Sequence, residues 1–161
     1  MNQKPIAPEV SFEPEFVARL KTLFEELIVF NQTLGLQVTA VAPAHASARV
    51  EMRPELIGHF THHRLHGGVI SASLDAMGGL AVMTAIGARH MNESIDARMA
   101  RFGKLGTIDL RVDYLRPGVG THFTAHAEVM RLGSRVASTR MQFLDADGGL
   151  LSMASAAYIV S

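Results

Sequence analysis

One carboxylate stands alone in the most apolar part of the sequence. The stretch HHRLHGGVISASLDAMGGLAVM covers residues 62–83, and Asp75 is the only charged side chain between His66 and Arg89. A buried carboxylate is costly unless it is paired, hydrogen-bonded or used in chemistry. Asp75 is therefore a candidate general base that activates water, or a candidate nucleophile that attacks a carbonyl carbon directly.

Two glycines precede the apolar run and could supply a complementary group. Gly67 and Gly68 directly follow His66. Glycine lets a ligand approach the backbone closely, and free N–H groups at a helix N-terminus favour negative charge on a bound oxygen. We expect Gly67, supported by Gly68, to polarise the carbonyl group on which Asp75 acts. Two simpler interpretations stay open: the glycines form only a tight turn, and Asp75 is a structural acid paired with an arginine.

The helix that would carry Asp75 has a small face and a bulky face. At about 100° per residue, Asp75 shares its face with small residues, namely Ser71, Ala72, Gly78 and Gly79. The bulkier stripe consists of Ile70, Leu74, Met77 and Ala81, which suits packing on a sheet. Nine helical residues span roughly 13 Å, so Gly67 and Asp75 of one chain are too far apart to hold one carbonyl group. We therefore expect a second chain to approach the small face.

The surrounding elements predict an α+β fold. Apolar spacing predicts an amphipathic helix over residues 14–30, with Phe16, Leu20, Leu23, Phe24 and Leu27 on one face. Alternation predicts a hairpin turned at APAH, with Ala46, Ala48, Val50 and Met52 facing inward. A mostly buried helix follows over about residues 67–89, and the polar stretch 90–106 is expected to be a flexible surface excursion. Strands on both sides of one long helix predict an antiparallel sheet wrapped around it.

Four strands are predicted after that excursion. The first, TIDLRVDYL, alternates with Ile108, Leu110, Val112 and Tyr114 on one face and ends at RPG. The second, THFTAHAEVM, alternates through Phe123, Ala125, Ala127 and Val129. The last two, RVASTRMQFL and LLSMASAAYIV, complete hairpins turned at LGS and DADGG.

Composition restricts the class of protein. The 161 residues suit one domain that buries roughly 70% of the surface of its unfolded chain. Lysine plus arginine equals aspartate plus glutamate, so no overall charge recruits nucleic acid or an anionic membrane. The sequence has no cysteine, hence no disulfide framework or thiolate metal site. No apolar run of signal-peptide length begins the sequence, and we expect a soluble, cytoplasmic protein.

These motifs resemble the hotdog-fold acyl-CoA thioesterases, in the branch of the phenylacetyl-CoA-pathway thioesterase. The resemblance is carried by LHGGVISASLDAMGG, by DLRVDYLRPG and by the strands from AEVMRLGS to AAYIV, and it covers about residues 33–160. It implies a division into an N-terminal extension, 1–32, and a hotdog domain, 33–161. It also implies hydrolysis of an acyl-CoA to a free acid and CoA, without metal or cofactor, with Asp75 acting from one subunit and the Gly67 amide from the other. A homodimer, and beyond it a dimer of dimers, is therefore expected.

The resemblance also suggests roles for several polar residues. His66 is expected to position the loop by hydrogen bonds. Related sequences often carry Asn or Gln six or seven residues before HGG, where this chain has Phe60 and His59, so His59 is a possible substitute for the missing amide. The further candidates for substrate binding are His63, Ser71 and three arginines that could hold CoA phosphates or be solvated charges, Arg116, Arg131 and Arg135.

Three alternatives remain open at this stage. The histidines at 59, 62, 63 and 66 could bind a metal, although no cysteine or acid lies among them. A hotdog hydratase or dehydratase would need a catalytic histidine beside the acid. A non-catalytic acyl-CoA-binding module would need no acid in its groove, and the presence of Asp75 disfavours it.

Overall fold

The computed structural model describes residues 11–161 and is organised around one long helix. The helices are α1 (Pro14–Thr22), α2 (Val29–Leu34), α3 (Gly67–Arg89) and α4 (Ile95–Ala100). The strands are β1 (Leu36–Ala42), β2 (His45–Glu51), β3 (Ile57–His59), β4 (Arg64–Leu65), β5 (Gly106–Tyr114), β6 (His122–Leu132), β7 (Val136–Leu144) and β8 (Leu150–Ile159). Six strands form an antiparallel sheet in the order β1-β2-β6-β7-β8-β5, while β3 and β4 pair separately. The predicted α+β fold, a sheet around a central helix, is confirmed.

The concave face of the sheet is apolar because the strands alternate with period two. In β2 and β6 the buried side chains are Ala46, Ala48, Val50, Phe123, Ala125 and Ala127. Leu74, Met77 and Leu80 of α3 are fully buried in the same core. The predicted inward faces of these elements are confirmed, and small alanines in the strands leave room for a helix on the sheet.

The N-terminal helix differs from the prediction, since it is broken rather than continuous over residues 14–30. A π-helical turn, Leu23–Leu27, follows α1, and Ile28 is extended at φ −82° and ψ 94°. The side-chain amide of buried Asn31 donates to the carbonyl of Phe24 at 3.0 Å, which satisfies a backbone group near the break. Because of the break, Leu27 is 66% exposed and does not share the buried face of Phe16 and Leu20.

The stretch 90–106 is also more ordered than expected, because it contains α4 and a 3-10 turn, Arg101–Lys104. Arg98 is fully buried, donates to the Glu13 carboxylate at 2.7 Å and lies 4.4 Å above the ring of Phe16. Phe102 is buried as well. The expectation of a flexible surface excursion is therefore wrong: this segment holds α1 against the domain.

Strand β5 forms one edge of the sheet and is poorly covered. A bulge between Thr107 and Asp109 removes Ile108 from the predicted face and leaves it 57% exposed. Leu110 and Val112 are only partly buried and face Ala156 and Ala154 of β8. Since an edge strand with exposed apolar side chains is prone to pair with another chain, β5 is a candidate subunit contact.

Helix α3 is long and apolar enough to cross a membrane by length and composition alone. However, 78% of its most apolar window is buried inside the protein, which identifies it as the core helix of the domain.

Candidate active site

Asp75 is held by two hydroxyl groups that donate to the same carboxylate oxygen. Thr107, at the start of β5, donates to Asp75 Oδ1 at 2.9 Å. Tyr158, near the end of β8, donates to Asp75 Oδ1 at 3.1 Å and to the Asp75 carbonyl at 3.0 Å. Within residues 11–161, no donor bonds Oδ2 and no cation pairs with the carboxylate, which disfavours the interpretation as a structural ion pair. The second oxygen, Oδ2, thus accepts no hydrogen bond from the described residues.

The Tyr158 hydroxyl keeps its proton because it is buried. Only 1% of it is exposed, and desolvation, followed by the negative charge of Asp75 and the hydrogen bond to it, raises the pKa of the Tyr158 hydroxyl far above its usual value. Its hydroxyl therefore stays protonated near neutral pH and fixes the rotamer of the Asp75 side chain.

Gly78 makes room for this tyrosine, which corrects part of the interpretation of the small face. A Cβ on Gly78 would lie 2.1 Å from Tyr158 Oη and 2.7 Å from Met141 Sδ. Gly78 is buried against its own sheet and is not available to a second chain. A Cβ on Gly79, by contrast, would have no neighbour closer than 3.9 Å.

Asp75 lines a cavity of about 290 Å³ on the open side of α3. The helix contributes small residues and one flexible one: Ala72, Ala76, Gly79 and Met83. The opposite wall consists of Phe24, Ile28, Phe30, Asn31, Leu105, Gly106, Thr107 and Tyr158. A single carboxylate at the margin of a mostly apolar cavity suits an apolar substrate with one reactive polar group.

The start of α3 presents a backbone donor. His66 caps the helix, since its Nδ1 accepts from Gly68 N–H at 2.8 Å, whereas its role in the site stays a prediction. The Gly68 donor is therefore occupied, whereas Gly67 N–H has no acceptor among residues 11–161. The carbonyl of Gly67 accepts from the Tyr114 hydroxyl at 3.0 Å. Gly67 is thus the donor available to a ligand, favoured by the positive end of the helix dipole.

Close packing, not an unusual backbone, explains the glycine pair. Neither residue has a positive φ, unlike Gly35 or Gly148. A Cβ on Gly67 would lie 3.3 Å from the Tyr114 ring, and a Cβ on Gly68 would lie 2.9 Å from His66 Nδ1. Packing against Tyr114 and His66 therefore accounts for glycine at both positions, and the role of the pair in binding a ligand stays a prediction.

Gly67 and Asp75 line different cavities in one protomer. Gly67 shares a second cavity, of about 390 Å³, with Arg64, Ile70, Tyr114 and Arg116. Eight residues of helix separate the two groups by about 12 Å along the axis. The structure therefore brings Arg116 close to Gly67 but does not bring Gly67 and Asp75 of one chain together.

The other predicted binding residues lie outside both cavities. Ser71 donates its hydroxyl to the Gly68 carbonyl at 3.1 Å. His59, His62 and His63 are exposed between β3 and α3, with the rings of His59 and His62 stacked at 4.9 Å. Arg131 and Arg135 are exposed at the turn between β6 and β7. The roles of these residues in substrate binding stay predictions. Within the described residues, no group of three acid or histidine side chains is arranged to hold a metal ion.

Comparison with known proteins identifies the family. A model described as the Thioesterase superfamily matches residues 62–152, the segment with Gly67, Asp75 and Thr107. The medium/long-chain acyl-CoA thioesterase YigI of Salmonella typhimurium is 39% identical over 131 residues, which are 81% of this chain and 84% of that protein. This chain belongs to the thioesterase superfamily.

Other members of the thioesterase superfamily support the assignment. YigI of Escherichia coli K12 is 37% identical over the same shares of the two chains. The crystal structure of a Shewanella oneidensis protein related to the superfamily has 34% identity and a TM-score of 0.86, and it covers 93% of this chain and 100% of that one. The predicted hotdog fold and the predicted thioesterase class are thereby confirmed. The predicted domain boundary after residue 32 falls within α2 and stays a prediction.

Sequence reasoning missed the groups that hold Asp75 in this candidate site. Alternation in β8 does place Tyr158 on the buried face with Ala154 and Ala156, and a buried tyrosine hydroxyl needs a partner. That signal indicates a polar contact but not its identity, because the register between β8 and α3 is a tertiary feature. The bulge beside Thr107 similarly hid its approach to Asp75.

Proposed function

We propose that this chain hydrolyses medium- and long-chain acyl-CoA thioesters, with Asp75 as general base or nucleophile and Gly67 N–H as the donor to the carbonyl oxygen. The observation that carries the proposal is the asymmetry at Asp75: Oδ1 accepts from Thr107 and Tyr158, while Oδ2 accepts from no described residue. An acid held in this way at the edge of an apolar cavity can act on a substrate that lies in the cavity. The names of the curated relatives support the substrate class.

The proposed chemistry needs only water and groups of the protein. In the general-base form, Asp75 Oδ2 takes a proton from water as the water oxygen bonds to the thioester carbon. The carbonyl oxygen becomes an oxyanion and accepts from Gly67 N–H. The C–S bond then breaks, and the CoA thiolate takes the proton from Asp75. In the nucleophilic form, Oδ2 bonds to the carbon, CoA leaves, and water hydrolyses the anhydride.

The reacting groups are proposed to come from opposite subunits of a homodimer. The separation of about 12 Å within one chain supports this arrangement, because a thioester carbonyl cannot contact both groups at that distance. The exposed apolar edge of β5 supports a subunit contact close to the site, since Thr107 and Tyr114 lie on this strand. A further pairing of dimers and a location in the cytoplasm remain proposals of the same kind.

Asp75→Asn tests the proposal with little disturbance of the fold. Asparagine keeps Oδ1, which can still accept from Thr107 and Tyr158, and replaces only Oδ2 by an amide nitrogen. We expect the variant to keep the melting temperature of the wild type within a few degrees and to lose on the order of a hundredfold or more in kcat for decanoyl-CoA, measured by thiol release. Folded Asp75→Asn protein with wild-type turnover would remove Asp75 from the mechanism.

The same assay separates hydrolysis from hydration. A hydratase or dehydratase would change the enoyl absorbance of crotonyl-CoA without releasing thiol. No histidine of residues 11–161 lines the cavity with Asp75, so the structure gives that alternative no support. We expect thiol release without independent loss of the enoyl group.

A further inference from the structure

The cavity beside Asp75 has one wall that comes from the N-terminal segment. Phe24, Ile28, Phe30 and Asn31 contribute to it, and all four precede the segment that matches the superfamily model, residues 62–152. The catalytic groups of the proposed mechanism lie inside that segment. The cavity is therefore built partly from the segment that matches the superfamily model and partly from residues that precede it.

We propose that the break in the N-terminal helix forms the acyl-binding wall of the enzyme and that Ile28 and Phe30 determine its preference for acyl-chain length. The inference rests on the proposed function, since it assigns the apolar end of the same substrate. Asp75 lines the same cavity as this wall, so an acyl group whose thioester meets Oδ2 would lie between α3 and the wall.

The shape of the cavity suits an unbranched apolar chain. Its helix side consists of Ala72, Ala76 and Gly79, which leave space, and of Met83, which is flexible enough to adapt to ligands of different length. A volume of about 290 Å³ leaves room for an acyl chain of several carbon atoms.

The wall is fixed in place even though its surface is exposed. Asn31 is buried and ties the segment to the Phe24 carbonyl, while the Glu25 carboxylate accepts from Val38 N–H of β1 at 2.6 Å. Phe30 nevertheless remains 59% exposed. An aromatic side chain held at a cavity mouth by an anchored backbone is preorganised to cover an apolar ligand.

The neighbouring residue supplies a matched control. Val29 lies between Ile28 and Phe30 in the chain, is 70% exposed and does not line the cavity. Val29→Ala therefore changes the same helix break without changing the wall. If all three alanine variants lose their preference for long acyl chains, the cause is the local backbone. If only Ile28→Ala and Phe30→Ala lose that preference, the cause is contact of these side chains with the acyl chain.

The test is a chain-length profile of kcat/KM for acyl-CoAs from acetyl to palmitoyl. Each methylene buried in the cavity should raise kcat/KM of the wild type by about fourfold until the cavity is full. Ile28→Ala and Phe30→Ala should lower the ratio of decanoyl-CoA to acetyl-CoA kcat/KM at least tenfold, and Val29→Ala should leave it within twofold. An unchanged ratio in both wall variants, or an equal fall in Val29→Ala, overturns the inference.

Binding of a thioether distinguishes failure of the inference from failure of the proposed function. S-decyl-CoA and S-ethyl-CoA cannot be hydrolysed, so their dissociation constants report on the wall without turnover. We expect S-decyl-CoA to bind wild type and Val29→Ala at least tenfold more tightly than it binds Phe30→Ala, with a much smaller difference for S-ethyl-CoA. Tight, Phe30-dependent binding without thiol release would refute the hydrolase and keep the acyl wall, while hydrolysis with Phe30-independent binding would refute the wall alone.

Discussion

Substitution of the adjacent glycines Gly78 and Gly79 should have opposite effects on stability. Both are buried in the middle of α3, and alanine at either position should gain about 0.5–1 kcal/mol from helix propensity. A Cβ on Gly78 would lie 2.1 Å from Tyr158 Oη and 2.7 Å from Met141 Sδ. The atoms nearest to a Cβ on Gly79 would lie 3.9 Å away, which is ordinary van der Waals contact. Only the first substitution therefore displaces a neighbour.

The cost at Gly78 has two parts. Met141 can move its sulfur, but the Tyr158 ring is rigid and must tilt, and overpacking of this kind costs about 1–3 kcal/mol. A tilt also breaks the hydrogen bonds from Tyr158 to Asp75, and hydrogen bonds to a charged group contribute about 1.5–3 kcal/mol. After the gain in helix propensity, Gly78→Ala should lose about 2–5 kcal/mol of unfolding free energy. Gly79→Ala should be unchanged or more stable by up to about 1 kcal/mol.

Urea unfolding followed by circular dichroism measures both values under one condition. The turnover of decanoyl-CoA adds an independent readout, because a tilted Tyr158 leaves Asp75 Oδ1 with the Thr107 donor alone. We expect kcat to fall in Gly78→Ala at temperatures where the variant is fully folded. Equal stability of the two alanine variants would mean that Tyr158 does not pack on Gly78, and the account of how Asp75 is oriented would then be wrong.

Two further predictions concern the donors of the site. Because burial raises the pKa of Tyr158 in the folded state above its ordinary value of about 10, the folded protein keeps a proton that the unfolded chain loses. Wild-type stability should therefore decline above about pH 10 by up to about 1.4 kcal/mol per pH unit. Tyr158→Phe should reduce that decline, measured by urea unfolding between roughly pH 9 and pH 11, a range that brackets the ordinary tyrosine pKa. If stability falls with pH equally steeply in the variant and the wild type, the hydroxyl is not buried as described. Gly67→Pro removes the N–H and should lose about 10²–10³ in kcat relative to Gly67→Ala, which adds the same Cβ but keeps the donor. Doubly tagged mixed dimers of Gly67→Pro and Asp75→Ala should regain roughly half of wild-type activity, since both lesions fall in one site, and inactive mixed dimers would place both groups in one chain.

The sequence was most informative where burial of one face gives apolar residues a regular helical or strand spacing. The long apolar helix, the inward residues of β2 and β6, and the turns at APAH, LGS and DADGG follow from local pattern and are present in the structure. The break at Ile28 escaped the same reasoning, because it also depends on the bond that Asn31 donates to the Phe24 carbonyl and on the bond that Glu25 accepts from Val38 N–H of β1. Because a continuous helix was predicted over residues 14–30, the sequence did not indicate that this segment lines the cavity.

The candidate site divides in the same way between local and tertiary information. Asp75 stands out as an isolated charge, and Gly67 stands out beside it, so residue type alone pointed to both. The partners of Asp75 did not stand out, since Thr107 and Tyr158 come from two strands whose register on α3 no local pattern specifies. Local pattern thus indicates which groups could react, and tertiary packing determines which oxygen of Asp75 accepts hydrogen bonds from Thr107 and Tyr158.

The two groups that are proposed to react each lack a hydrogen-bond partner among the described residues. Gly67 N–H, at the positive end of α3, has no acceptor among residues 11–161, and Asp75 Oδ2 has no donor among them. About 12 Å of helix keeps the two apart within a chain, so neither can complete the other there. A two-fold axis that sets two α3 helices antiparallel would bring each Gly67 towards the Asp75 of the other chain and generate two equivalent sites. Strand β5 forms one edge of the sheet and carries both Thr107, which bonds to Asp75, and Tyr114, which bonds to the Gly67 carbonyl. Pairing of the chains along β5 would therefore couple assembly of the dimer directly to assembly of the active site.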